Sequence, residues 1–225
     1  MLLVLWALIL RPVGFKFRSK LAIPQWRTAW DMCLCISGFV PSLIFGVAVG
    51  NVLTGIPFYF DESLRCFYTG SFFDLLRPFP LLCGILSIIM FMQHGALYLG
   101  IKTEKEIRER VLRILPVTGL AWLICLSIGG LYVAGQLPGF ALITGYNPQG
   151  ASNPLGKEAH VLAGAWLQNY STYPLLWLVP LTAYSGVIAA WYLAYMQKLK
   201  AAFVMNSLAI ASAIIIVGIS MFPFI

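Results

Sequence analysis

The chain has 225 residues, of which 60% are hydrophobic and only 10% charged, with a formal net charge of +7. A water-soluble domain carries about a quarter of its residues as charges, so this composition and a mean hydropathy of +0.85 exclude an ordinary soluble domain and mark an integral membrane protein. The positive surplus raises nucleic acid as a partner, but most of the cations fall in short loops between apolar runs, where they report topology, and no nucleic acid is expected.

In chain order, an apolar run from Met1 to Val13 ends at Arg11-Pro-Val-Gly-Phe-Lys-Phe-Arg-Ser-Lys20. Met1–Leu10 is too short to cross a bilayer, since a span needs about 20 residues. No signal peptide is visible, because a basic leader and a small-residue cleavage site are missing. The expectation is a partial first span, in a fragment of a longer protein. Arg11, Lys16, Arg18, Lys20 and Arg27 precede the first acid, Asp31; basic residues this close to spans favour the cytoplasmic side.

The second span is expected over Trp30–Leu53, with Pro41 as a kink. Ser42, Gly46 and Gly50 share one helix face, suited to close helix packing within the chain rather than to a dimer. The loop Thr54–Arg77 has no basic excess, faces outward, turns at Gly55, Pro57 and Gly70, and carries Phe58, Tyr59, Phe60, Phe67, Tyr68, Phe72 and Phe73 as an interfacial aromatic belt. The third span covers Pro78–Gly100.

The connector Lys102–Arg113 is expected to be helical and cytoplasmic. Thr103 and Glu106 have capping-box spacing. Glu104–Arg108, Glu106–Arg110 and Glu109–Arg113 are i,i+4 pairs, each stabilising by about 0.2–0.5 kcal/mol. A fourth span, Ile114–Gln136, leads to a long outward loop, Leu137–Tyr173. There Asn153-Pro154 reads as a helix start, and Leu155–Gln168 as an amphipathic helix on the membrane. Asn169-Tyr-Ser171 matches a glycosylation acceptor, a triplet too common to count. Spans five and six cover Pro174–Met196 and Ala201–Ile225, separated by Lys198 and Lys200.

Basic and basic-poor loops therefore alternate. Loops 11–28, 101–113 and 197–201 are placed in the cytoplasm, and both ends of the chain outside. The fold class is all-α: a polytopic transmembrane helical bundle of five full spans and one partial N-terminal span, read as a single integral membrane domain over 1–225.

Chemistry-bearing groups inside the spans are few. An ionised side chain there costs about 2.5–3.5 kcal/mol on the lenient scale, so polar residues mark where to look. His94 offers a haem ligand, a proton carrier or a structural donor; without a second His or Met partner the structural role is preferred. Gln93 and Asn206 read as interhelical hydrogen-bonders. Arg11 sits near a boundary, where it can snorkel or pair with a carboxylate, Asp31 being the nearest in sequence. Cys33, Cys35, Cys66, Cys83 and Cys125 read as inert thiols packed as small hydrophobes. No catalytic residue and no metal ligand set is expected, since a nucleotide loop, zinc signature, carboxylate pair and nucleophile triad are all missing from the sequence.

Several ordered blocks resemble subunit II of the cytochrome bd-type quinol oxidases. They are Arg11-Pro-Val-Gly-Phe with Arg18-Ser-Lys20, Trp26 with Trp30-Asp31, Gly38-Phe-Val-Pro41 with Gly46-Val-Ala-Val-Gly-Asn51, Gly55-Ile-Pro-Phe58, Tyr68-Thr-Gly70 and Phe72-Phe73. Later come Gln93-x-Gly95-Ala96-x-Tyr98-Leu99, Ala151-Ser-Asn-Pro-Leu155 with Lys157-Glu158 and Gly164-Ala-Trp166, and Met221-Phe-Pro-Phe224. Against the family's nine-helix plan the chain corresponds to helices three to eight, the first in part. The family's early Gly-Phe-Asp and Trp-Asp-Gly-Asn blocks and its last helix are missing, and Lys16 stands where the family often has an acid. The resemblance implies that these residues alone do not support turnover.

It further implies a two-subunit oxidase of the bacterial inner membrane and its respiratory chain. A haem-bearing subunit I holds haems b and d and the quinol site. The present chain braces that partner, carries no haem, helps supply protons and accommodates a structural quinone. Membrane lipid and a small accessory subunit complete the expected partners. Arg11, Arg18 and Asp31 would order the cytoplasmic edge, Gln93 would donate a buried interhelical hydrogen bond, and Asn153, Lys157 and Glu158 would shape the outer loop. A secondary transporter is the alternative, disfavoured because spans with paired charges or repeated broken helices are not seen; a membrane assembly or anchoring protein is the other.

Overall fold

The computed structural model describes residues 2–142 and 159–224. Seven helices and two short hairpins follow in the order α1 (Leu2–Phe17), α2 (Pro24–Thr54), β1 (Phe58–Phe60), β2 (Cys66–Tyr68), α3 (Pro78–Lys102), α4 (Glu106–Gly135), β3 (Pro138–Leu142), β4 (Ala159–Ala163), α5 (Gln168–Thr172), α6 (Leu178–Tyr195) and α7 (Leu199–Met221). Five helical stretches are long and apolar enough to cross a bilayer: α2, α3, α4, Pro174–Tyr195 and α7. At 1.5 Å per residue the 16 residues of α1 reach only about 24 Å. Five full spans and a shorter first helix are therefore what the hydropathy pattern predicts, although α1 continues past Arg11 to Phe17 and α2 begins six residues before Trp30. The chain divides into two compact units, Met1–Phe91 and Met92–Ile225, with the boundary inside α3.

In the first unit α1 packs along α2. Gly14 allows the contact: a Cβ there would come within 2.9 Å of Leu34 Cδ2. Helix α2 starts with Pro24 in its first turn, where the missing N–H is not needed. It ends at Gly55, whose φ of +80° favours glycine. The small face of α2 is used within the chain, as expected. Gly50 faces Pro80 Cα at 2.5 Å and Gly46 faces the Gly84 Cα at 2.7 Å, measured from the position a Cβ would take.

The loop between α2 and α3 holds an antiparallel hairpin that periodicity did not predict, with Phe58 paired to Tyr68 and Phe60 to Cys66. The Asp61 carboxylate closes its turn, accepting from the backbone N–H of Ser63 at 2.9 Å and of Arg65 at 2.8 Å. The seven aromatic residues of this loop are all exposed.

In the second unit Leu97, Val111, Leu115, Ala194, Leu199 and Ala202 form a buried apolar cluster. Alanines and Gly186 bring α6 and α7 close, a Cβ on Gly186 lying 2.9 Å from that of Ala209. Three expectations fail here. The capping box is not made: Thr103 Oγ1 instead donates back to Leu99 O at 2.7 Å, closing α3 in the manner of hydroxyls near helix ends, and α4 starts after Lys105 at φ +54°. None of the three i,i+4 pairs closes, because among the described residues the ion pair within 4.0 Å is Arg18–Asp31; Glu104 lies before α4, and Arg108 donates to Gln197 Oε1 at 2.9 Å.

The described part of the expected amphipathic helix, residues 159–168, is also different. Ala159–Ala163 is a strand, paired to Pro138–Leu142 from Leu142↔Ala159 to Pro138↔Ala163, and a short 3₁₀ turn follows at Ala165–Leu167. A short apolar run fits either period; a partner strand more than 15 residues away in the sequence decided between them.

Candidate functional site

The basic loop and the start of α2 fold into one edge of the first unit. Arg18 donates to Asp31 in the bidentate manner, Nε to Oδ1 at 2.5 Å and Nη2 to Oδ2 at 3.1 Å. That pairing raises the Arg18 guanidinium above its ordinary pKa. Trp26 Nε1 donates to Phe17 O at 2.8 Å, Phe17 stacks on Trp30 with centroids 6.0 Å apart, and Lys20 lies 5.3 Å over the Phe17 ring.

Arg11 does not pair with Asp31. Its Nη2 donates to Ser37 O at 3.3 Å. The reason is covalent: Pro41, inside α2, has no N–H to give the carbonyl four residues earlier, and that carbonyl belongs to Ser37. Of the five guanidinium donors, one is used in this way.

The polar groups of the second unit converge on α3. His94 Nδ1 lies 3.1 Å from Asn206 Nδ2, and its ring stacks on Phe203 at 4.3 Å. The structural role preferred for His94 and the interhelical role of Asn206 thus meet in one α3–α7 contact. Gln93 is 1% exposed; its amide lies beside Gly119 of α4, and its Oε1 has no hydrogen-bond partner, like Trp122 Nε1 and Asn206 Oδ1. That open Gln93 atom is an acceptor, whereas the hydrogen bond predicted for Gln93 is one it donates. Asn153, Lys157 and Glu158 lie outside them.

Other polar contacts escaped the sequence. Asn51 Nδ2 donates to Val47 O at 2.9 Å and to Leu75 O at 2.8 Å, tying the outward loop to α2. Asn169 Nδ2 donates to Ile219 O and Phe222 O, both at 2.7 Å, capping the end of α7. Ser127 and Tyr184 hydroxyls join at 2.9 Å, as do those of Thr182 and Ser212. Their only advance signal was a hydrogen-bonding side chain in or beside an apolar run.

Among the described residues no three His, Cys, Asp or Glu side chains gather. His94 has one ring nitrogen engaged by Asn206, and it lines neither the cleft bordered by Gly100, Arg108 and Gln197–Ala201 nor the one between α1 and α2. The geometry is that of helices locked to one another by single hydrogen bonds.

The sequence matches the family described as "Cytochrome bd terminal oxidase subunit II" over residues 1–225. It is 43% identical over 225 residues to "Cytochrome bd-I ubiquinol oxidase subunit 2" of Escherichia coli (strain K12), covering 100% of this chain and 59% of that protein. It is 41% identical over 228 residues to "Probable cytochrome oxidase subunit 2" of Haemophilus influenzae, again covering 59% of the relative. A more distant relative is "Cytochrome bd ubiquinol oxidase subunit 2" of Bacillus subtilis, 23% identical over 130 residues, or 57% of this chain and 37% of that one.

Proposed function

The chain belongs to the cytochrome bd terminal oxidase subunit II family, and from that premise we propose that it serves as the haem-free subunit II of a membrane quinol:oxygen oxidoreductase. Its part is to brace a haem-bearing subunit I, in which haems b and d pass electrons from quinol to oxygen. The observation that carries this reading is the family match along all 225 residues. It is supported by the kind of contacts the chain offers: interhelical hydrogen bonds and an ion-paired edge. The inner membrane is the proposed location, with the loops at 11–28, 101–113 and 197–201 on the cytoplasmic side.

Arg18 and Asp31 set the register of α1 on α2 at the basic edge, and Arg11 closes the carbonyl freed by Pro41. Gln93 presents a buried acceptor to a donor from outside the described residues, such as a partner helix or a bound water. Asn153, Lys157 and Glu158 shape the outer loop. A quinone between the helices, membrane lipid and a small accessory subunit complete the proposed partners. A secondary transporter or an anchoring protein has no comparable support.

The test is co-purification of the protein with the product of its neighbouring gene in mild detergent, followed by reduced-minus-oxidised spectra. Haem bands in the complex, retained in full by His94→Ala, and none in the isolated subunit are the expected result. Haem in the isolated subunit, lost on His94→Ala, would overturn the haem-free assignment.

A further inference from the structure

An apolar groove of about 440 Å³ runs between α1 and α2, lined by Leu3, Trp6, Ala7, Leu10, Ile36 and Val40 among others, all of them apolar. Leu3 to Leu10 span about 10 Å along the helix. Arg11 follows the lining residue Leu10 in sequence, and its guanidinium reaches across to O of Ser37, the neighbour of the lining residue Ile36, and lies 3.8 Å from where a Gly38 Cβ would stand. Lys16 and Lys20 follow on the same side in sequence. Arg18 is neutralised by Asp31, whereas among the described residues no carboxylate lies within ion-pair distance of Arg11, Lys16 or Lys20.

We propose that this groove and Arg11 together form a binding site for one anionic glycerophospholipid, with an acyl chain along α1 and α2 and the phosphate on the Arg11 guanidinium. The two halves argue for the same ligand. A groove without polar lining selects hydrocarbon, and the Arg11 guanidinium, which among the described residues gives one donor to Ser37 O, selects an oxyanion able to take two of the others. Near a bilayer boundary the reduced dielectric strengthens that attraction over its value in water. Basic sites flanking spans are recurrent acidic-lipid sites. A second helix, about 10–12 Å across, rides over such a groove, while a single hydrocarbon chain fills it. The proposal stands apart from the oxidase reading, since it uses residues of α1 and α2 alone.

Trp6 in the groove wall is the reporter. The protein, with any partner it carries, is placed in phosphatidylcholine nanodiscs, and the fluorescence difference between wild type and Trp6→Phe isolates the Trp6 signal. Phosphatidylglycerol with brominated chains is expected to quench that signal at mole fractions at least about threefold lower than brominated phosphatidylcholine. Arg11→Gln should abolish the preference. Val40→Phe, which fills the groove and leaves Arg11 in place, should weaken quenching by both lipids, and inorganic phosphate should leave the preference intact. Equal quenching by the two lipids in wild type, or a preference that survives Arg11→Gln, would overturn the proposal. So would a preference erased by inorganic phosphate, which would mark a bare anion site, or a Trp6 untouched by either lipid, which would mean protein covers the groove.

Discussion

Arg11 donates to Ser37 O at 3.3 Å, the carbonyl that Pro41 deprives of its helical partner. A residue of α1 thereby repairs a defect in α2, at a residue that is fully buried, where an unpaired carbonyl is costly. Replacing Arg11 by Ala should destabilise the α1–α2 pair by about 1–3 kcal/mol, the cost of leaving a buried acceptor unmade. Pro41→Ala returns an N–H to Ser37 O, so in that background the Arg11→Ala loss should shrink. A double-mutant cycle on denaturation in detergent measures the coupling, and additive losses would separate Arg11 from the Pro41 defect.

Gly46 and Gly218 should respond oppositely to alanine. A Cβ at Gly46 meets the Cys83 carbonyl oxygen and stands 2.7 Å from both Gly84 Cα and Ser87 Cβ, whereas one at Gly218 meets nothing within 4 Å. Backbone cannot swing aside as a side chain does, so Gly46→Ala is expected to cost about 1–3 kcal/mol. Gly218→Ala, in a helix interior, should be neutral or stabilising by up to about 1 kcal/mol. Thermal unfolding of the two variants side by side checks this.

The turn entering α3 should be sensitive to acid. Asp74 Oδ2 accepts from the Ser71 N–H at 2.6 Å, and chiefly for that reason the Asp74 carboxyl is held below its ordinary 3.8. A depressed carboxyl contributes stability that is fully present above the unfolded value and is lost as pH falls through the folded one. Hydrogen exchange of residues 71–77 should therefore be slow and flat above about pH 5 and accelerate, beyond the intrinsic trend, below about pH 4. Asp74→Asn should remove the extra acid dependence.

Asn169 is committed to the end of α7 through Ile219 O and Phe222 O. Asn169→Ala removes both bonds and is expected to cost about 1–3 kcal/mol. Asn169→Asp should be at least as damaging, because it sets an anion against the negative end of the helix dipole. The same commitment keeps the Asn169-Tyr-Ser171 triplet from serving as a glycan acceptor in the folded protein, so expression in a glycosylating host should add no mass there.

The buried α3–α7 contact makes a fifth comparison. Asn206 is fully buried, and its Nδ2 lies 3.1 Å from His94 Nδ1. Asn206→Leu leaves the ring nitrogen without that partner, while His94→Phe with Asn206→Leu replaces both polar groups by apolar ones. The single change should be the more destabilising, by about 1 kcal/mol or more, in denaturation of the purified protein.

Six apolar runs separated by charge were enough to locate every long helix, because each crossing of a bilayer needs its own run of about 20 apolar residues and that demand is written locally. The resemblance gave Arg11, Arg18 and Asp31 together as the basic edge, but proximity in sequence pointed to Arg11 as the partner of Asp31, and packing joined Asp31 to Arg18 instead. Where two periods compete over a short segment, as at Ala159–Ala163, sequence alone left the choice open, and pairing with Pro138–Leu142 made it. Thr103, read as a cap for the following helix, turned back to the preceding one because a hydroxyl can satisfy either end.

The sequence by itself determined membrane insertion, the number and order of spans, and family membership through ordered blocks, all of which depend on what each short stretch requires of its solvent or keeps in its own order. Tertiary structure alone decided which polar groups meet: Arg11 with Ser37, His94 with Asn206, Asn169 with the end of α7. These partners lie from 26 to 112 residues apart. Each pairing depends on helix rotation and depth, which hydropathy does not encode. In a low-dielectric interior a buried donor or acceptor left without a partner is costly, but the chain reveals which partner each finds only when the helices are packed.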